Sequence, residues 1–339
     1  MNIRVGIARS LLYYKYFPFW KEYLESFGFE VILSNQTNKE ILLNGIINSV
    51  DESCLPVKVF VGHIIDLLDK VDYLFIPRIK SIKKKEFLCP KFLGLPDIVR
   101  NCVENCPPIF TPNIDANEIS FYSSIYKIGK KFTKNPLTLY RNYKKAFIKQ
   151  KKMKESLSKL TTPLEMNSVL EDKVENKTEY NNVGYTVSLN NNNNNNLIVN
   201  NNLKIAFIGH AYNIYDNFIN QNLIKKLNNM GVDVVTQEMI PHHELEKESF
   251  YISDNIYWTY NREIVAATKW WVKNKIDGVI FIISFPCGPD SLVIEYLCRD
   301  IKKYNIPVMN LILDEHQSEV GLITRLESFV DIIKLKKEK

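Results

Sequence analysis

Short apolar, β-branched runs alternate with helix-length segments along this chain, and the alternation happens twice. Ile3-Arg-Val-Gly-Ile7, Glu30-Val-Ile-Leu33 and Asp72-Tyr-Leu-Phe-Ile-Pro77 have strand character. Between them, Leu11–Phe27 carries aromatic and aliphatic residues at helical spacing and stops at Gly28. Thr37-Asn-Lys-Glu40 fits a capping box that opens a second helix, and a third runs from the Cys54-Leu-Pro56 turn to about Lys70. The pattern restarts at Lys204-Ile-Ala-Phe-Ile208. A helix at Ile219–Met230, a strand at Asp233–Val235 and a helix at Glu263–Lys275 follow. Then come a strand at Gly278–Ile283, a helix at Ser291–Tyr304, a strand at Val308–Leu313 and a last helix from Glu319. Strands that alternate with helices pair in parallel, because each helix is the crossover that returns the chain to the same sheet edge. The expectation is an α/β fold of two Rossmann-like, doubly wound, mainly parallel lobes. Residues 1–116 and 203–339 form them.

Residues 117–202 differ. Lys127–Lys159 holds twelve Lys and Arg against one acid, Glu155, and reads as a basic, partly amphipathic helical segment broken near Pro136. The homopolymer Asn190–Asn196 cannot bury apolar area and reads as a disordered linker. The chain's net charge of +6 is smaller than the charge of that one segment, so the remainder is net acidic. That balance argues against a nucleic-acid partner. No apolar run reaches membrane-spanning length, and the opening Met-Asn-Ile-Arg-Val-Gly-Ile lacks an export-signal layout. The expectation is a cytoplasmic protein with no membrane partner. There, six cysteines in 339 residues serve as metal ligands, thiol chemistry or packing, not as disulfides.

Ligands of open α/β sheets sit beyond the carboxyl ends of strands. Cys287, in Ser284-Phe-Pro-Cys-Gly-Pro-Asp-Ser291, follows a strand and precedes a helix; Cys54, in Asp51-Glu-Ser-Cys-Leu-Pro56, also precedes a helix. A helix N-terminus favours a thiolate and stabilises an anionic group. Cys89 lies in a Pro/Gly-punctuated loop, Phe87-Leu-Cys-Pro-Lys-Phe-Leu-Gly-Leu-Pro-Asp97. Three thiolates from three loops can hold a cubane and leave one iron open; the plain alternative is three inert small residues. Cys102 and Cys106 read as a packed helix end before two prolines, and Cys298 as a mid-helix core residue. His210, Asp216, Asp290, His316 and Arg325 are the rim candidates. The histidines would give hydrogen bonds or a proton, and the carboxylates would serve as helix caps. His63 is as well explained by a loop cap, and His242 and His243 read as surface residues. Neither a Gly-x-x-x-x-Gly-Lys phosphate loop nor a Gly-x-Gly-x-x-Gly fingerprint is present.

Several stretches together resemble the uncharacterised domain of proteins related to CoA-enzyme activases. They are Asp51-Glu-Ser-Cys-Leu-Pro-Val-Lys58 with Gly62-His63, Cys89-Pro-Lys-Phe-Leu-Gly-Leu-Pro-Asp97, Gly209-His-Ala-Tyr-Asn-Ile-Tyr-Asp216, Phe285-Pro-Cys-Gly-Pro-Asp-Ser291 and Asp314-Glu-His316 with Thr324-Arg-Leu-Glu327. The wider family is similar to the iron–sulfur subunits of 2-hydroxyacyl-CoA dehydratases and benzoyl-CoA-type reductases, and to double-cubane cluster proteins. The resemblance implies Cys54, Cys89 and Cys287 as ligands of an iron–sulfur cluster, [4Fe-4S] or double-cubane, between two α/β lobes. It implies low-potential electron transfer or reductive chemistry, and the Asn tract's composition suggests an anaerobic source. A separate ATP-dependent activator, a dehydratase-like subunit or a second copy in a homodimer is the implied partner. The competing readings are a regulatory or cluster-carrier protein that docks a partner through Lys127–Lys159, and a zinc-thiolate or metal-free binding protein.

Overall fold

The computed structural model describes residues 3–160, 163–170, 202–253, 255–316 and 319–338. The Asn-rich tract at 190–201 lies outside them. The chain opens with β1 (Arg4–Ile7), α1 (Tyr13–Glu25), β2 (Glu30–Leu33), α2 (Lys39–Asn48), α3 (Leu55–Leu67), β3 (Tyr73–Phe75), β4 (Arg78–Ser81), α4 (Pro90–Cys102), β5 (Ile109–Phe110) and β6 (Asn113–Asp115). Three helices follow: α5 (Phe121–Gly129), α6 (Pro136–Leu157) and α7 (Met166–Leu170). The rest comprises β7 (Leu203–Gly209), α8 (Ala211–Ile214), α9 (Leu223–Asn229), β8 (Val232–Val235), α10 (His242–Phe250), α11 (Thr259–Lys273), β9 (Gly278–Ser284), α12 (Gly288–Lys302), β10 (Val308–Leu313) and α13 (Glu319–Lys337).

Two four-stranded sheets form, ordered β2-β1-β3-β5 and β8-β7-β9-β10. Taken by rank along the chain, both orders are 2-1-3-4, and the pairings within them are parallel. The alternating α/β expectation is met, down to the same winding in both sheets. Each sheet therefore has a switch point where the strand order reverses, at β1/β3 and at β7/β9. The second sheet is covered on both faces. Ile205 and Phe207 of β7 point into one core with Ile280 and Ile282 of β9, while Ala206 and Ile208 point into another with Val279 and Phe281. This two-residue period explains why β9 reads as one continuous apolar run. The first of these cores also contains Val5, Phe17 and Leu74, so it joins the two sheets.

The basic segment is docked, not free. Asn135 caps α6 by accepting from Leu137 N (3.0 Å), with Pro136 in its first turn. The buried face of α6 lies on α1, where Asn142 donates to Ser26 O (3.1 Å) and Gln150 to Lys15 O (2.6 Å). Its lysines mostly face outward. Helices α2 and α3 cross at two glycines. A Cβ on Gly45 would sit 2.0 Å from Lys58 O, and one on Gly62 would sit 1.9 Å from Ile41 O.

Two local expectations change. Asn38, not Thr37, caps α2, accepting from Ile41 N at 3.0 Å. Thr37 is used elsewhere: its hydroxyl donates to Asp216 Oδ2 (2.5 Å) and lies 2.9 Å from His63 Nε2, while Ser34 Oγ meets His63 Nδ1 at 2.9 Å. A hydroxyl has one proton to give. With it committed to Asp216, Thr37 accepts from Nε2–H, and His63 is the neutral tautomer whose Nδ1 accepts from Ser34. Cys89, expected in a loop, caps α4, a helix that tolerates Gly94 and Pro96 inside it.

Burial holds His63 neutral, with its pKa lowered to about 4, and pushes Asp216 up to about 6 against the donors around it. The two have opposite linkage signs. Asp216 contributes stability below about pH 4 that is lost as pH rises through 6. His63 contributes stability above its ordinary value that is lost as pH falls through 4. Each amounts to about 3 kcal/mol, so their slopes oppose between pH 4 and 6. In urea titrations across that window, Asp216→Asn will leave stability rising with pH, and His63→Gln will leave it falling. Parallel slopes in the two variants would refute the pairing.

Candidate functional site

The three cysteines singled out in the sequence cap three different helices. Cys54 is the N-cap of α3, Cys89 of α4 and Cys287 of α12, and each helix has a proline in its first turn. Proline suits that position because it has no N–H to leave unpaired and its φ is already helical. All three residues line one cavity of about 120 Å³, together with Tyr212, Trp258 and Tyr260. The cavity is small beside the roughly 300–1,000 Å³ of pockets that take extended organic ligands. Cys287 and His210 follow β9 and β7, so they stand at the switch point of the second sheet, and Leu11 brings the loop after β1 to the same cavity. Cys89 is tied to the second half of the chain through its neighbours: Phe87 N donates to Tyr257 O (2.8 Å) and Thr259 N to Phe87 O (2.9 Å).

The N-terminal amides of the three helices are aimed at the sulfurs. The N–H groups of Val57, Lys91 and Asp290 favour the thiolates of Cys54, Cys89 and Cys287, without closing capping bonds of standard geometry. Burial outweighs them and pushes all three thiols up, and the Asp290 carboxylate adds to this at Cys287. Lys91, which also lines the cavity, favours the Cys54 and Cys89 thiolates but does not offset burial, so the thiols hold their protons; a metal replaces those protons when it binds.

Asp290 organises the wall next to Cys287. It is 1% exposed, and its Oδ1 accepts from Asn261 Nδ2 and lies against His210 Nε2, both at 2.9 Å. Its Oδ2 has no nitrogen or oxygen partner. Burial works against the charged form, but His210, Asn261 and the Cys287 thiol together hold the carboxyl below its usual range. His210, Cys287 and Asp290 have ligand atoms within 4.8 Å of one another, close enough to share one ion. The ring of Tyr212 stacks on His210 at 4.9 Å. Burial first, then the nearby Asp290 and the three sulfurs, keeps the Tyr212 phenol protonated well above its ordinary range.

His210 and Asp290 thus join the cysteines, and the other rim candidates do not. Asp216 lies against Thr37 in a separate recess. His316 is exposed, and Arg325 donates to Asn310 O (2.9 Å) between β10 and α13. Cys102, at the end of α4, and Cys106 beyond it pack half-buried against the core. Cys298 packs half-buried on the other core, 3.6 Å from Asn310 Oδ1. His242 and His243 are both exposed at the start of α10, as expected of surface residues. Tyr212, Trp258, Tyr260 and Asn261 were not singled out in the sequence. Tyr212 sits two residues past His210 in a stretch that was; the other three precede or open α11, where only position in the fold reveals them.

Fold and site define a doubly wound α/β protein with a thiol-lined cavity at its strand switch points. The sequence matches the model of the CoA enzyme activase uncharacterised domain over residues 4–240, and the chain belongs to that family. The match takes in Cys54 and Cys89 and ends before Cys287. No curated protein matches the chain. Among the described residues, no helix is long and apolar enough to cross a membrane.

The electrostatics of Cys287 are open to test in metal-free protein. Asp290→Asn removes the charge that opposes its thiolate, so alkylation of Cys287 by iodoacetamide at pH 8 will quicken by about tenfold. Peptide mass spectrometry gives the rate; an unchanged or slower Cys287 would contradict this account.

Proposed function

We propose that the chain holds an iron–sulfur cluster through Cys54, Cys89 and Cys287 and serves as a low-potential electron-transfer or reductase component. The observation that carries this is the meeting of three cysteine-capped helix starts in one small cavity. On this reading residues 1–116 and 203–339 are the two lobes that enclose the cluster, and 117–202 connects them. A cluster is an anion once its thiolate ligands are counted, and the donor set fits one. Three helix N-termini and the Tyr212 phenol direct positive ends or hydrogen-bond donors at the cavity. Ligands on different irons of a cube stand farther apart than ligands on one ion, which accords with the three sulfurs lying on three separate helices.

When bound, such a cluster supplies one-electron transfer, at a potential set by its charge, the hydrogen bonds to its sulfurs and its burial. The protein's part is to bind, orient and exclude water. The three cysteines bind. The His210–Asp290–Asn261 group fixes the wall beside Cys287, and Trp258, Tyr260 and Phe87 close the cavity with aromatic surface. The family's link to CoA-enzyme activases supports a separate ATP-dependent activator, or a dehydratase-like subunit, as electron partner.

The close grouping of His210, Cys287 and Asp290 favours one other reading, a single zinc ion on those three residues. Iron, acid-labile sulfide and zinc measured on anaerobically purified protein separate the two. The cluster reading expects several irons with matching sulfide and broad visible absorption. Cys54→Ser, Cys89→Ser or Cys287→Ser will each lower the iron content, and Cys298→Ser will not. One zinc per chain, lost in Cys287→Ser and kept in Cys54→Ser, would replace the cluster with the mononuclear site.

A further inference from the structure

A second cavity lies behind the thiol site, with Tyr260 as the wall between them. One part of that ring lines the thiol cavity, and the Lys15 ammonium stands over it, 4.9 Å from the centroid, on the side of the second cavity. The second cavity is formed by α1, α6, α10, α11 and the short turn Gln237–Met239. It has no part in the proposed cluster site; it is open to solvent on the side of Lys83, Lys154 and Glu246, while Lys15, Gln237, Glu238 and Glu263 line its inner part.

Two polar groups with different needs share it. In the first, Lys15 pairs with Glu263 at very short range and with Glu238 at 3.8 Å, so two carboxylates face one ammonium. Glu238 also accepts from Tyr215 (2.8 Å) and from Gln237 Nε2 (3.0 Å). That second bond fixes the Gln237 amide: its Nε2 must face Glu238, and its Oε1 is left as an acceptor. Gln237 is 2% exposed, lines the cavity, and its Oε1 has no partner. An unpaired buried acceptor is costly. This end of the cavity carries one negative charge in excess and lacks a donor.

The second group has the reverse need. Lys154 Nζ donates to His242 Nε2 (3.3 Å), and His242 Nδ1 faces Glu246 at 3.4 Å. Lys154 thus spends its hydrogen bond on a neutral ring, and no carboxylate stands within ion-pair distance of it among the described residues. Lys83 lines the same cavity and adds a second cation. Glu246 is the one carboxylate at this end and it faces His242, so Lys83 and Lys154 leave one positive charge in excess. Met153, Leu157, Ile240 and Leu245 supply aliphatic surface to the same space.

We propose that this cavity binds a small zwitterionic amino acid. Its ammonium group is received by Gln237 Oε1 and the Glu238–Glu263 pair, its carboxylate by Lys154 and Lys83, and its carbon chain by the aliphatic wall. One ammonium neutralises the excess charge at the first end and gives the Gln237 oxygen its donor. One carboxylate gives Lys154 the counter-charge that His242 does not. A plain carboxylic acid or a plain amine satisfies only one of the two ends.

Isothermal titration calorimetry on the full chain tests this with L-leucine and γ-aminobutyrate as the α- and ω-amino acid members, and with butyrate and butylamine as single-charge controls. The expected result is saturable binding of at least one amino acid, with both controls weaker by about tenfold or more, the loss of one charge-assisted hydrogen bond. Lys154→Met, at an exposed position that leaves the core intact, will weaken the amino acid to about the level of butylamine. Gln237→Leu will weaken it by a similar factor and leave butyrate binding unchanged. Absence of saturable binding by both amino acids overturns the proposal. So does equal binding of the controls, or unchanged affinity in Lys154→Met. Iron content is not read in this experiment, so its failure and the failure of the cluster reading are separate results.

Discussion

A thiolate in the interior survives only where fixed positive charge faces it, and this constraint governs the architecture around Cys54, Cys89 and Cys287. The bare cavity does not meet it: burial leaves each of the three thiols protonated despite the amides directed at them. What the fold supplies is three helix N-termini that do not need to move to stabilise an anionic group. Each is preset by a proline in its first turn. Lys91 adds one cationic side chain to the lining without offsetting that burial, and a metal ion would complete the set. On the proposed reading a cluster would supply iron, replace the thiol protons with metal–sulfur bonds and present the helix ends with a group whose net charge they favour. Binding and charge stabilisation would then be one event, and a cavity poor for free thiolates would suit a metal-bound set.

Bringing three helix starts to one point requires the two sheets to be held in register with each other, and a set of polar contacts adds to the apolar core they share. Lys58, in the first turns of α3 after Cys54, is almost fully buried and pairs with Glu315 beyond β10 at 2.6 Å. Thr37 reaches Asp216, Arg262 of α11 faces Glu86 at 3.4 Å, and the Phe87–Trp258 bridge joins backbone to backbone. Buried ion pairs contribute little net stability, because desolvation offsets most of the attraction, but they are intolerant of misplacement. They therefore serve position here more than energy. The apolar core that runs from Val5 and Phe17 to Ile205 and Leu311 supplies the stability.

Much of the fold was legible because the two sheets obey simple periodicity. β9 reads as one apolar run since both its faces are covered, and Cys287 and Cys54 read as helix starts from the prolines beside them. Cys89 did not, because Gly94 and Pro96 look like loop residues; α4 forms over them because Phe92, Leu95 and Val99 bury one face of it. Thr37 fitted a capping box, yet tertiary contacts with Asp216 and His63 claimed its hydroxyl and left the cap to Asn38. Asp216 shares a motif with the cavity residue His210, but nearness in sequence past a strand end does not fix which way a side chain turns. Gln237 and Lys154 gave no signal at all: one is an ordinary amide in a short turn, the other one lysine among twelve basic residues. Only the packing of α6 against α1 brings them into the same cavity.

Diffraction from anaerobically grown crystals, with anomalous data collected on both sides of the iron absorption edge, tests the central claim most directly. The account predicts a compact group of iron peaks in the cavity bounded by α3, α4 and α12, with Cys54, Cys89 and Cys287 sulfurs bonded to different irons. An empty cavity in protein reconstituted with iron and sulfide, or a single non-iron peak between His210, Cys287 and Asp290, would contradict it.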